Sequence, residues 1–274
     1  MNKKKNKKML EKLVDEDLDL YLDKKKIYDI KLYNECNQYI SPKDKALMES
    51  KFTKPRSKAQ KKYINILNDF SQKIVIATGP AGSGKTLLAT EIGIKHFING
   101  LCEKLIFVRP AVTSDEEIGF LPGTLEDKLA PFIRPIYDIL YNFILPQEVT
   151  QLLEEKIIEI APLAYMRGRT FKNSWIVADE MQNSTISQMK MMLTRLGEGT
   201  RLVITGDLEQ NDRHGEINGL EHFLDKFKGR RSESITSVEF NTGDIERSEV
   251  VKEVLDIYNS EIIPPNYLDE IDQV

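Results

Sequence analysis

Ile74-Val75-Ile76-Ala77-Thr78, followed without a break by Gly79-Pro80-Ala81-Gly82-Ser83-Gly84-Lys85-Thr86, reads as an apolar strand running into a glycine-rich phosphate loop. Leu87-Leu88-Ala89-Thr90-Glu91-Ile92 continues it as a helix. The glycines let successive backbone N–H groups turn inward toward anionic oxygens, and a helix starting at about Lys85 adds the positive end of its dipole. In that setting Gly79, Pro80, Ala81, Gly82, Ser83 and Gly84 cradle phosphates. Lys85 reaches the β- and γ-phosphates, and the Thr86 hydroxyl serves Mg²⁺. The ligand class is therefore a nucleoside triphosphate. A glycine-rich turn in an unrelated connection would not need both flanks, and both are here.

Short β-rich runs at 74–78, 104–108, 157–160, 175–178 and 201–205 alternate with helical patterns. That alternation predicts an α/β fold: a doubly wound, mainly parallel sheet with helices on both faces. A helix over 58–67 leads into the core after the Pro- and Lys-containing link Phe52-Thr53-Lys54-Pro55-Arg56. Residues 125–144 carry apolar side chains at helical spacing, with Pro131 and Pro135 expected to bend or divide the helix. The chain divides into a basic, amphipathic N-terminal extension and linker (1–56), a core carrying the phosphate loop (57–260) and an acidic tail (261–274).

At 274 residues and 41% hydrophobic content the chain can bury one substantial core. No apolar run approaches the length of a membrane span, and the lysines at the start have no hydrophobic region behind them, so a cytoplasmic protein is expected. The net charge of −4 hides a lysine cluster at residues 3–8 and a C-terminal stretch without Lys or Arg after Lys252. The lysine arm is either a solubilising tail or a tracker of nucleic-acid phosphates. Cys36 and Cys102 lack partners at ligand spacing and read as ordinary thiols. The three histidines, His96, His214 and His222, form no ligand or triad pattern, and Trp175 reads as strand packing.

In a doubly wound sheet the ligand sits at the carboxyl ends of the strands, so polar residues just after buried runs carry the argument. Trp175-Ile176-Val177-Ala178 ends in Asp179-Glu180. Asp179 suits Mg²⁺ and Glu180 suits the attacking water. Leu202-Val203-Ile204-Thr205 runs into Gly206-Asp207 and then Gln210, a carboxamide placed to sense the γ-phosphate. Leu105-Ile106-Phe107-Val108 delivers Arg109 to the same rim.

With Asp179-Glu180-Met181-Gln182-Asn183 and Thr205-Gly206-Asp207-Leu208-Glu209-Gln210, the loop resembles the nucleotide motifs of superfamily 1 helicases. Arg109-Pro110-Ala111-Val112, Gly119-Phe120-Leu121-Pro122-Gly123, Pro131-Phe132-Ile133-Arg134-Pro135 and Pro162-Leu163-Ala164-Tyr165-Met166-Arg167-Gly168-Arg169-Thr170 narrow the resemblance to the PhoH family of ATPases, over about residues 57–258. Nothing in the first fifty residues resembles the PIN nuclease domain that some relatives carry. The resemblance implies a RecA-like core, ATP with Mg²⁺, and Gln60 reading the adenine edge. Arg247 falls where the family has a late arginine resembling an arginine finger, although Ser248-Glu249 departs from the usual His-Pro.

A core of one lobe would borrow that arginine from a neighbour, and the resemblance implies a hexameric ring. Arg109, Arg134, Arg167 and Arg169 are expected near the nucleotide rim. There they hold RNA or single-stranded DNA, or make ion pairs within or between subunits. Tyr165 and Phe171 are expected in the core. The leading reading is a nucleic-acid-dependent ATPase or helicase-like motor. The alternatives are an ATP-dependent, non-catalytic scaffold recruiting a nuclease and, fitting less well, a small-molecule phosphotransferase.

Overall fold

Ser57 caps the helix that leads into the sheet in the computed structural model, which describes residues 49–110, 134–210, 217–245 and 250. Its hydroxyl accepts the Gln60 N–H at 3.0 Å while Gln60 Oε1 accepts the Ser57 N–H at 3.3 Å, a reciprocal cap that satisfies two orphan donors. The helix, α1 (Lys58–Asn68), buries Gln60, Tyr63 and Leu67. After it come β1 (Ile74–Thr78), α2 (Lys85–Ile98), β2 (Lys104–Arg109), α3 (Pro146–Glu154), β3 (Ile158–Pro162), β4 (Ser174–Ala178), α4 (Ile186–Leu193), β5 (Arg201–Gly206), α5 (Gly219–Phe227) and β6 (Ile235–Glu239). Residues 134–140 are also helical, with Pro135 near their start. Of the predicted 125–144 helix, residues 125–133 lie outside the described residues, and residues 141–144 form a turn rather than a continuation of the helix.

The six strands form one sheet in the order β3-β2-β4-β5-β1-β6, every neighbouring pair parallel. Alternation along each strand sends side chains to two cores. Val75, Ala77, Leu105, Phe107, Trp175, Val177 and Val203 pack toward α1, α2, α3 and residues 136–144. Ile76, Ile106, Val108, Ile176, Leu202 and Ile204 pack toward α4 and α5. Both faces are covered, as a parallel sheet requires, and the expected doubly wound α/β fold is observed. The sixth strand was not anticipated: of Ile235-Thr236-Ser237-Val238-Glu239 only Val238 is buried, so this edge strand lacks an apolar run.

At the amino edge of the sheet, Arg201 donates to the carbonyls of Leu67 and Asp69, holding a cation at the C-terminal end of α1. Its guanidinium lies 5.3 Å from the centroid of Phe70 and 5.4 Å from that of Trp175. His96 completes the cluster, edge-on to Trp175 at 4.8 Å and stacked on Phe70 at 5.2 Å. Burial, with Arg201 and Lys95 adding to it, pushes its pKa down to about 4. Trp175 packs as expected and donates its indole N–H to the Ala89 carbonyl at 3.1 Å. That contact brings α2 so close that a Cβ on Gly93 would lie 2.5 Å from the Trp175 ring.

Two outcomes follow for stability. Gly93→Ala gains about 1 kcal/mol of helix propensity yet overpacks against Trp175, so urea unfolding should show a net loss of roughly 1–3 kcal/mol. His96 is a buried neutral group whose native pKa lies below its unfolded value. It therefore costs nothing above the ordinary histidine range and removes stability as pH falls from about 6.5 toward 4. The full shift corresponds to about 3 kcal/mol. Discounted for partial solvent screening, His96→Gln is expected to lose roughly 1–2 kcal/mol less than wild type between about pH 7 and pH 4, measured by urea unfolding at each pH.

Candidate functional site

The loop after β1 turns through Gly79, Gly82 and Gly84 at φ of 132°, 81° and 88°, where glycine is favoured. Gly79 is further constrained because a Cβ there would lie 2.2 Å from the Phe240 carbonyl oxygen. Its N–H donates to Gly206 O at 3.3 Å, so the loop is seated between the ends of β5 and β6. Gly84 starts α2 with no side-chain cap, leaving the helix amides directed at the site.

Lys85 is buried, and its Nζ donates to Gly79 O at 2.7 Å, Pro80 O at 2.8 Å and Ser83 Oγ at 3.2 Å. Burial pushes its pKa below the usual lysine range, against the pull of Asp207, Glu180 and Asp179. Behind the loop, the buried Tyr63 hydroxyl donates to the Lys85 carbonyl at 3.5 Å.

The strand β4 brings Asp179 to this loop. Thr86 Oγ1 donates to Asp179 Oδ1 at 2.7 Å, and the Thr205 hydroxyl at the end of β5 donates to the same oxygen. A hydroxyl beside one carboxylate fits Mg²⁺, a small ion that keeps waters and takes its other ligands from phosphates. Among the described residues there is no cluster of three or more His, Cys, Asp or Glu that would build an all-protein cage.

Glu180, the next residue, has φ 53° and ψ 37°, a left-handed conformation that costs a non-glycine residue about 1–3 kcal/mol and collects at functional sites. Its Oε2 accepts from Gln182 Nε2 at 2.5 Å, and its Oε1 lies 3.6 Å from Arg109 Nη2. Gln182 in turn accepts the Asp207 N–H at 3.1 Å, and Asp207 Oδ2 accepts the Ala81 N–H of the loop at 3.1 Å. Ala81, Gly82, Gly84, Lys85, Thr86, Leu87, Asp179, Glu180, Gly206, Asp207 and Gln210 line one cavity of about 250 Å³.

The structure thus brings together Lys85, Thr86, Asp179, Glu180 and Gln210, with Arg109 beside Glu180. Gln60 does not line this cavity: it is buried behind the loop, its Nε2 donating to Ser83 O at 3.2 Å and its Oε1 accepting the Arg56 N–H at 2.7 Å. Arg169 makes a two-pronged pair with Glu159 and lies 4.6 Å over the Phe171 ring, the intrachain alternative left open by the sequence. Arg167 and Arg134 are exposed. Arg247 lies outside the described residues. Phe171 is buried as expected, but Tyr165 is 56% exposed, because the 3₁₀ turn that buries Leu163 and Met166 points it outward. Sequence reasoning missed Thr205, Gln182 and Tyr63 as supports of the site. Thr205 carried a readable signal as the last hydroxyl before the Gly206-Asp207 turn.

Comparison with known proteins gives the family. A family model described as "PhoH-like protein" matches residues 52–259. A PhoH-like protein of Synechocystis is 41% identical over 200 residues, covering 73% of this chain and 60% of that one. A PhoH-like protein of Bacillus subtilis is 37% identical over 241 residues, covering 86% and 74%. Protein PhoH of Escherichia coli K12 is 38% identical over 217 residues, covering 77% and 60%. The chain therefore spans less than two thirds of the Synechocystis and E. coli relatives. Among solved structures, a Pif1 helicase from Candida albicans shows a slight likeness, with a TM-score of 0.39 and 18% identity over 76% of this chain and 44% of that one. The family match spans the sheet and every strand-end residue of the cavity, and this chain belongs to the PhoH-like protein family.

Proposed function

We propose that this protein binds ATP with Mg²⁺ and hydrolyses it, with RNA or single-stranded DNA as effector, in a hexameric ring of identical subunits. The observation that carries the reading is the Thr86–Asp179 hydrogen bond at 2.7 Å, which sets the Mg²⁺-type pair at the mouth of the phosphate loop with Glu180 in the same cavity. The loop amides and Lys85 hold the phosphates. Thr86 and Asp179 would hold Mg²⁺, whose chemistry is to neutralise charge on the β- and γ-oxygens. Glu180 orients a water in line with the γ-phosphorus and takes a proton from it. The new P–O bond forms as the bond to the β-phosphate oxygen breaks, leaving ADP and inorganic phosphate. Gln210 is the proposed γ-phosphate sensor, and Gln60 is proposed as the adenine reader from the family resemblance, a role in which its amide would exchange its bonds to Arg56, Ser57 and Ser83 for the base.

Among the described residues that line the cavity, Lys85 is the one cation. A transferring phosphoryl group is usually stabilised by a further arginine, and Arg247 of a neighbouring subunit is the proposed source. A heterologous contact of that kind closes into a ring. The exposed Arg167 and Arg134, with Arg109 on the rim, are the proposed phosphate contacts, which makes binding salt-sensitive and largely independent of sequence.

Glu180→Gln should keep ATP affinity and lower kcat by about 10²–10⁴-fold, whereas Lys85→Ala should lose ATP binding itself. Binding is read with a fluorescent ATP analogue and turnover as phosphate release, with and without single-stranded RNA or DNA. Turnover preserved in Glu180→Gln would remove that residue from the chemistry. A cellular effect that survives the change would favour the scaffold reading. For the ring, Arg247→Ala should leave ATP binding intact and cut turnover by about 10³-fold or more. Mixing it with Lys85→Ala subunits should restore part of the activity. A monomeric mass in solution during full turnover would end the shared-site proposal.

A further inference from the structure

Gln182 is 1% exposed, yet both ends of its carboxamide are bonded. Its Nε2 donates to Glu180 Oε2 at 2.5 Å, and its Oε1 accepts the Asp207 N–H at 3.1 Å. An amide buried this deeply costs free energy unless such partners are present. One partner here is a carboxylate whose own side chain is 32% exposed. A side chain that open to solvent keeps its rotamer freedom unless a fixed neighbour holds it, and Gln182 is such a neighbour. The second oxygen, Glu180 Oε1, faces Arg109 Nη2 at 3.6 Å, beyond a direct hydrogen bond, and can still accept from a water. One oxygen is anchored and the other is left for chemistry.

We propose that Gln182 is a positioning residue that aims the Glu180 carboxylate by tying it to the turn after β5. The inference rests on the ATPase reading above and adds how the general base is held relative to the phosphate loop. Asp207, whose N–H fixes Gln182, also accepts the Ala81 N–H of the loop on its carboxylate at 3.1 Å and the Gln210 N–H on its carbonyl at 3.1 Å. Loop, sensor and carboxylate therefore share one frame.

Two further observations support the assignment. Side chains two residues apart do not face each other on a regular helix, and here they meet across the left-handed Glu180 backbone at φ 53°. The strain thus coincides with the contact that aims the carboxylate. Gly206 is the second. It lies outside the left-handed region, so space accounts for the glycine: a Cβ there would lie 2.9 Å from Gln182 Oε1 and 2.6 Å from Leu220 Cδ2. Gln182 itself does not line the cavity, so its loss should be felt in turnover and not in ATP binding.

The test is a double-mutant cycle on the full chain, with kcat read as phosphate release and ATP affinity with a fluorescent analogue, each with and without single-stranded oligo(U) RNA. Gln182→Met, close in volume but without the amide, is expected to lower kcat by about 10- to 100-fold and to move ATP affinity by less than about twofold. In the Glu180→Gln background the same change should alter the residual turnover by less than about twofold, because the carboxylate it aims is already gone. Gln182→Leu takes its place if circular dichroism shows Gln182→Met to be unfolded. A kcat within about twofold of wild type overturns the inference, as does a loss taken in ATP affinity instead. An equal fractional loss in both Glu180 backgrounds also overturns it, since that marks a general disturbance of the site while the ATPase reading stands. A wild type that releases no phosphate under either condition overturns the ATPase reading, and the inference with it.

Discussion

The hydrogen bond from Thr86 Oγ1 to Asp179 Oδ1 joins the phosphate loop to the acidic end of β4 across β5, which lies between β1 and β4. It exists only because the sheet is wholly parallel. Parallel strands deliver all their carboxyl ends to one edge, so residues 93 apart in sequence meet with their side chains already aimed at each other. The intervening β5 contributes the Thr205 hydroxyl to the same Asp179 oxygen and then Asp207 to the Ala81 amide. A change of register in β5 by one residue would turn Thr205 to the other face and break both links at once.

Three of the groups expected to meet a triphosphate already have a protein partner. Lys85 rests on two loop carbonyls and the Ser83 hydroxyl, Ala81 N–H on Asp207, and Thr86 on Asp179. These bonds fix the shape of the loop, which lowers the ordering cost of binding, but Lys85 and the Ala81 N–H have to exchange theirs for phosphate oxygens. They also make the loop depend on three carboxylates, Asp179, Glu180 and Asp207, whose pull on Lys85 opposes the downward push of burial. The site is acidic as built, so the charge of a bound nucleotide has to be met by cations beyond Lys85.

The legible parts were those with a short-range signature. Five strands were apolar runs of four to six residues bounded by polar ends, and the loop, Asp179 and Glu180 sat at their ends. The sixth strand, with Thr236, Ser237 and Glu239 around a single buried Val238, has no such signature, because its partner β1 and the packing of Phe240 decide it. Gln182, Thr205 and Tyr63 are of the same type. Each acts through a residue distant in sequence, and pairing across that distance depends on strand order, which periodicity does not encode. Tyr165 failed in the opposite direction: an aromatic in an apolar motif reads as core, yet a 3₁₀ turn of four residues cannot bury every side chain.

The two edges of the sheet carry different burdens. At the amino edge Arg201, Trp175, His96 and Phe70 form a cluster in which Arg201 bonds to carbonyls at the end of α1, His96 to Asn68 and Trp175 to the Ala89 carbonyl of α2. That cluster fixes α1 and α2 against β4 and β5 without touching the cavity. At the carboxyl edge Glu180 tolerates a left-handed backbone, and a position that costs about 1–3 kcal/mol persists only where its surroundings over-determine it. The surroundings here are the Asn183 N–H on the Glu180 carbonyl, the Gln182 amide on its carboxylate and the β4 strand anchored through Trp175. The left-handed Glu180 backbone at one end of β4 is thus braced by the packed indole at the other, which ties the strand to α2 through Ala89.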